Sequence, residues 1–135
     1  MTHLKALLLC EDVRVEVGGT LTLVGVFGER LVVADRRPGA DGVEVPRLAV
    51  VAIASGLRGL ERVAFRIRMR RLEEVEPEPP VLAFEAHDPA MDEHTFVVIH
   101  APVVMPGVGG YEVMFELDAR NELTMHRARF LLERA

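Results

Sequence analysis

Arg66, Arg68 and Arg70 fall on alternate residues of VAFRIRMRR (63–71). In a strand this spacing sets three guanidiniums on one face, about 6.5–7 Å apart. Such a row can bind phosphates, because the guanidinium is a planar fork that meets oxyanions in pairs. It can equally be the wet side of an ordinary sheet, with Val63, Phe65, Ile67 and Met69 on the dry side. Unopposed, three like charges repel, so the row calls for anions. YEVMFELD (111–118) carries them in the same alternation, as Glu112, Glu116 and Asp118. Three readings follow: a solvated ladder of cross-strand ion pairs, a protein or homodimer surface where arginine is enriched, and a stripe for nucleic acid or another polyanion. The intervening positions lack the exposed aromatics on which unpaired bases stack, and no RNA-recognition or helix-turn-helix signature accompanies the row.

A second cluster, HDPAMDEH (87–94), gathers His87, Asp88, Asp92, Glu93 and His94. Imidazoles and carboxylates together suit a borderline metal, which would support a metal-dependent hydrolase. The spacing matches no zinc or calcium pattern, and His-Asp-Pro is also ordinary turn chemistry. Other residues point to architecture. In GVGGYEV (107–113) the glycines lead into Tyr111 at a strand opening, the setting of a tyrosine corner whose hydroxyl bonds back to upstream backbone. His100 and His126 sit among apolar neighbours, and Cys10 in an apolar run reads as a small buried side chain. Ser55 is the sole serine, so a Gly-x-Ser-x-Gly elbow is excluded, and GLRGLER (56–62) lacks the lysine and hydroxyl of a phosphate loop. No catalytic constellation emerges, and the expectation is a non-enzymatic protein without cofactor or metal.

Composition narrows the class. With 135 residues, half of them hydrophobic and 27% charged, the chain is expected to form one globular domain, 1–135. The formal net charge of −5 argues against a dedicated nucleic-acid binder while leaving room for a local basic patch. Lys5 is the only lysine among sixteen basic residues. A single cysteine excludes an internal disulfide. MTHLKALLLC is too short in its apolar stretch for a signal peptide, and Pro102 and Pro106 interrupt the longest apolar run, 96–110. The expectation is a cytoplasmic protein without a membrane contact.

The elements that must position these residues are strands. Strand signals cover 4–10, 12–17, 20–27, 30–34, 46–56, 63–71, 81–87, 94–104, 111–118 and 122–133. Gly18-Gly19 makes a turn, RRPGADG (36–42) a loop, and EEVEPEPP (73–80) a proline-broken segment. The apolar run 46–56 predicts a strand buried on both faces, and ARN (119–121) a hairpin loop with Asn121 at positive φ. Phe27, Phe65, Phe84, Phe96, Phe115 and Phe130 give one ring to each of six strands, which suggests a core between two sheets.

ALLLCEDVRVEVGGTLTLVGVFGE (6–29) together with PGVGGYEVMFELDARNEL (106–123) resembles a family of small bacterial proteins of unknown function. Those open with a Leu-Cys-Asp-like strand and a Gly-x-Leu-(Ser/Thr)-Leu-x-Gly-Val hairpin, and close with a Gly-x-Tyr-x-Phe/Val strand. Here Glu11 intervenes between Cys10 and Asp12. The resemblance implies a β-sandwich and transfers no functional residue. Taken together, the sequence predicts an all-β, immunoglobulin-like or related two-sheet antiparallel sandwich, with jelly-roll and C2-like strand orders left open. It would act as a binding or assembly module on a protein partner or as a homo-oligomer, the alternative being a polyanion on Arg66, Arg68 and Arg70.

Overall fold

The computed structural model describes residues 2–34, 42–73 and 81–135, with the backbone alone over 81–85. Twelve strands are found among them: β1 (His3–Cys10), β2 (Asp12–Val15), β3 (Leu21–Val24), β4 (Arg30–Val33), β5 (Val43–Val45), β6 (Leu48–Ser55), β7 (Arg62–Arg71), β8 (Val81–Ala86), β9 (His94–His100), β10 (Val103–Met105), β11 (Gly109–Ala119) and β12 (Glu122–Arg134). They form a three-stranded sheet in the order β1-β6-β9 and a five-stranded sheet in the order β4-β12-β11-β7-β8. Two ribbons, β2-β3 and β10-β5, complete the set. Every pairing is antiparallel except β4 with β12, which is parallel. The all-β sandwich expected from the sequence is therefore present, with one parallel pair added at the end of its larger sheet.

Alternation along the strands builds the core. Val63, Phe65 and Ile67 of β7 and Tyr111, Val113, Phe115 and Leu117 of β11 point inward from the five-stranded sheet, and Val50, Ala52, Ala54 and Phe96 meet them from the other. The rings of Phe65 and Phe96 lie 4.8 Å apart and those of Phe96 and Phe115 5.8 Å, so one aromatic cluster joins both layers. On the opposite face of the small sheet, Cys10, Ala49 and Val51 are covered by Val13 and Leu23 of the β2-β3 ribbon. Hence β6 is buried on both sides, as its unbroken apolar run predicts.

Several boundaries differ from the sequence reading. The run 94–104 is divided into β9 and β10 by a cis Ala101–Pro102 bond. The short β5, invisible to periodicity at three residues, pairs with β10 and places Val43, Val45 and Met105 in the core. Phe27 lies beyond the end of β3, bridging to Leu9 and packing on Phe130 at 5.4 Å. The β11-β12 loop is two residues, not three: Arg120 and Asn121 have φ of 55° and 61°, the pair of left-handed residues that matches hairpin twist. The expected loop at 36–42, but for Gly42, and the segment 73–80, but for Glu73, lie outside the described residues, as does the side chain of Phe84.

Candidate functional site

The outward face of the five-stranded sheet collects the arginines. Register sets Glu112 of β11 between Arg70 of β7 and Arg129 of β12, Met114 between Arg68 and Arg127, and Glu116 between Arg66 and Met125. Glu112 accepts hydrogen bonds from Arg70 Nε at 3.2 Å and Arg129 Nε at 2.9 Å, with Arg127 Nε at 3.9 Å. Glu116 forms longer ion pairs with Arg66 at 3.8 Å and Arg68 at 3.6 Å. Arg68 Nε makes no hydrogen bond among the described residues.

Glu112 is wholly shielded from solvent although it belongs to the wet side of the sheet. The guanidiniums themselves form the lid. Burial pushes its carboxyl up, but the hydrogen bonds from Arg129 and Arg70, followed by the charges of Arg70 and Arg127, outweigh it and hold the group below the ordinary carboxylate range. The sequence-predicted row of Arg66, Arg68 and Arg70 is thus one rail of a ladder that has Glu112 and Glu116 as rungs. Arg127 and Arg129 form the second rail. Their signal was present in MHRARF (125–130), where arginine alternates with His126, Ala128 and Phe130.

Among the described residues, ion pairing does not exhaust the positive charge. Over Arg66–Arg70, Glu112–Asp118 and Leu123–Arg129, five outward guanidiniums meet three outward carboxylates, a local surplus of two on a chain of net charge −5. Arg66, Arg127 and Arg129 keep about half or more of their side-chain surface exposed. Around them stand exposed apolar residues, Leu123, Met125 and Leu131 of β12 and Val32 of β4. The face can receive acidic groups while also burying hydrocarbon.

The 87–94 cluster is assembled differently from a metal centre. His87 and His94 come together, with Nδ1 atoms 3.3 Å apart, and His87 Nε2 lies 2.8 Å from the Met91 carbonyl to which it donates. The carboxylates turn elsewhere. Asp88 accepts the Ala90 amide at 3.0 Å, and Glu93 pairs with Lys5 at 2.5 Å. Asp92 is held below the usual range by the Gly56 amide foremost, aided by that of Arg58. The backbone follows the same plan, Leu57 N–H donating to Asp92 and Gly59 N–H to Pro89. This loop is a clasp on 56–61, and no group of three or more metal-ligating side chains occurs among the described residues.

Tyr111 is architectural: its hydroxyl donates to the Gly107 carbonyl at 2.6 Å and accepts the Gly107 amide at 3.2 Å. Burial pushes the Cys10 thiol up and away from nucleophilic use. A cleft of about 240 Å³ lies at the far end of the sheet between Leu31, Val33, Val45 and Pro46, with Glu11 and Arg47 at its rim. None of the described residues forms a helix long and apolar enough to cross a membrane. No protein-family model matches the chain, and no curated protein matches it in sequence.

Proposed function

We propose that the chain is a non-enzymatic, cytoplasmic binding module that recognises an acidic protein surface through the outward face of β7, β11 and β12. The observation that carries this reading is the surplus of guanidiniums around two neutralised carboxylates, set beside exposed methionine and leucine. Arginine and methionine among apolar neighbours are the composition of protein interfaces. A polyanion on Arg66, Arg68 and Arg70 is the second reading, favoured by the same surplus. Against it, the outward positions of β11 and β12 carry no ring for base stacking. Kinship with the small bacterial family, and with immunoglobulin-like domains through the Tyr111 bond, is part of the same proposal.

The test compares peptides in which Asp and Glu alternate with Leu and Phe against single-stranded RNA and duplex DNA at two salt concentrations. Arg66→Gln/Arg127→Gln is the right variant, since it leaves the Arg70 and Arg129 bonds to Glu112 intact. Peptide binding that persists at moderate salt and weakens about tenfold in the variant is expected. Nucleic-acid binding that falls by roughly 10³-fold between ~50 and ~200 mM salt would favour the polyanion instead. Equal binding by wild type and variant would overturn both.

A further inference from the structure

β12 is the longest strand among the described residues, and β4 covers only its end, Leu131–Arg134, of which Leu131 and Leu132 are paired with β11 as well. Among the described residues no strand pairs with 122–130 on the side away from β11. Leu131 N–H donates to the Glu29 carbonyl at 2.7 Å, and Ala135 N–H to Val33 at 2.9 Å. Odd-numbered residues of β12 therefore aim their backbone groups at this edge, leaving Leu123, Met125, Arg127 and Arg129 with open donors and acceptors. Proline, a bulge, an inward charge or charged side chains along the edge blunt such an edge, and β12 carries only the last of these, Arg127 and Arg129. Here the register with β11 is continuous, and the inward residues are Thr124, His126 and Ala128.

We infer that two copies of this chain pair antiparallel along 122–130 about a two-fold axis at His126, making one continuous ten-stranded sheet. Charge fixes the register. With the axis at His126, Arg127 lies opposite the partner's Met125 and Arg129 opposite the partner's Leu123, so no arginine faces its like. The four opposed pairs exchange eight backbone hydrogen bonds, two for each pair. Leu123 and Met125, 63% and 45% exposed in one copy, gain the aliphatic stems of the partner's arginines as neighbours on the same outward face. An axis at Arg127 would stack that residue on itself. An axis at Met125 would oppose Arg129 to Asn121 of the turn and leave only three pairs. The pairing sets two arginine faces side by side; its sense as assembly rests on the binding-module reading, while its existence rests on the edge.

Mass measurement by light scattering, at concentrations up to about 100 µM, detects any dimer with a micromolar dissociation constant. Twice the 15.0 kDa chain mass is expected. In a Cys10→Ala background, His126→Cys places two thiols across the axis, where opposed Cα atoms are about 4.5 Å apart and a disulfide closes. Arg129→Cys sets its copies roughly 20 Å apart, six residues out of register. Diamide should cross-link the former and not the latter. Met125→Pro removes an amide that no bond among the described residues uses, and should give a folded monomer. A monomeric wild type, a dimer that His126→Cys fails to cross-link, or a folded Met125→Pro dimer would overturn the pairing. A monomer that still binds acidic peptides would sink the edge and spare the arginine face; a dimer that binds none would do the reverse.

Discussion

Glu112 lies on the solvent side of its sheet, yet Arg70, Arg127 and Arg129 cover it completely. Taking a carboxylate out of water is costly unless hydrogen bonds replace the lost hydration, and two guanidinium Nε donors do so here. Removing the charge should therefore cost stability. Glu112→Gln is expected to lower the unfolding free energy by about 1–3 kcal/mol near neutral pH, toward the lower figure because half-exposed arginines regain water. The pH dependence has a definite sign. A carboxyl held low in the fold adds stability above its unfolded value of about 4.3 and loses it as pH falls through the depressed folded value. Urea unfolding from pH 6 downward should show the wild type losing stability in acid more steeply than the variant. Parallel curves would mean that Glu112 is not held ionised by its arginines.

Among the elements, the β11-β12 hairpin makes the site, because it sets Glu112 and Glu116 against the arginines of two neighbours at once. Its turn needs left-handed backbone at Arg120 and Asn121. Asn121→Val should cost about 1–2 kcal/mol in chemical denaturation, whereas Asn121→Gly should cost little. Equal losses would show that the side chain, not the backbone, is what matters. This hairpin was legible in the sequence, since alternation and turn residues are local signals. So were the buried run of β6, the outward direction of Arg66, Arg68 and Arg70, and their partners Glu112 and Glu116, whereas Asp118, read as a third partner, lies opposite Ala64 and Leu123. The parallel union of β4 with β12, 101 residues apart at Leu131 and Arg30, was not. Nor was the burial of Glu112, because it depends on which strand lies on its far side, and a single sequence states only that a face exists. The 87–94 cluster, whose spacing matches no metal pattern, stays open in the sequence for the same reason: residue types are visible, but the clasp on 56–61 that turns Asp92 away is a long-range contact.

At the scale of the whole molecule, the two sheets are held together through Phe96, which meets Phe65 and Phe115 across the interior and lies against His94 at 4.6 Å. Phe96→Ala should cost about 3–5 kcal/mol, a large share of the ~5–15 kcal/mol that holds an ordinary domain. One cooperative unfolding transition is expected in both proteins, shifted but not divided in the variant. Two separate transitions would mean that the sheets are independent units. Glu112 and Glu116 hold the arginines of this face in place within one chain, the preorganisation that the proposed binding of an acidic surface calls for. The most direct measurement of the central claim is an NMR titration of the labelled protein with an acidic, leucine-containing peptide. Shifts concentrated at Arg66, Arg68, Met125, Arg127 and Arg129 are the predicted result. Shifts gathered instead at the 87–94 clasp, or around Leu31 and Pro46 in the cleft, would contradict it.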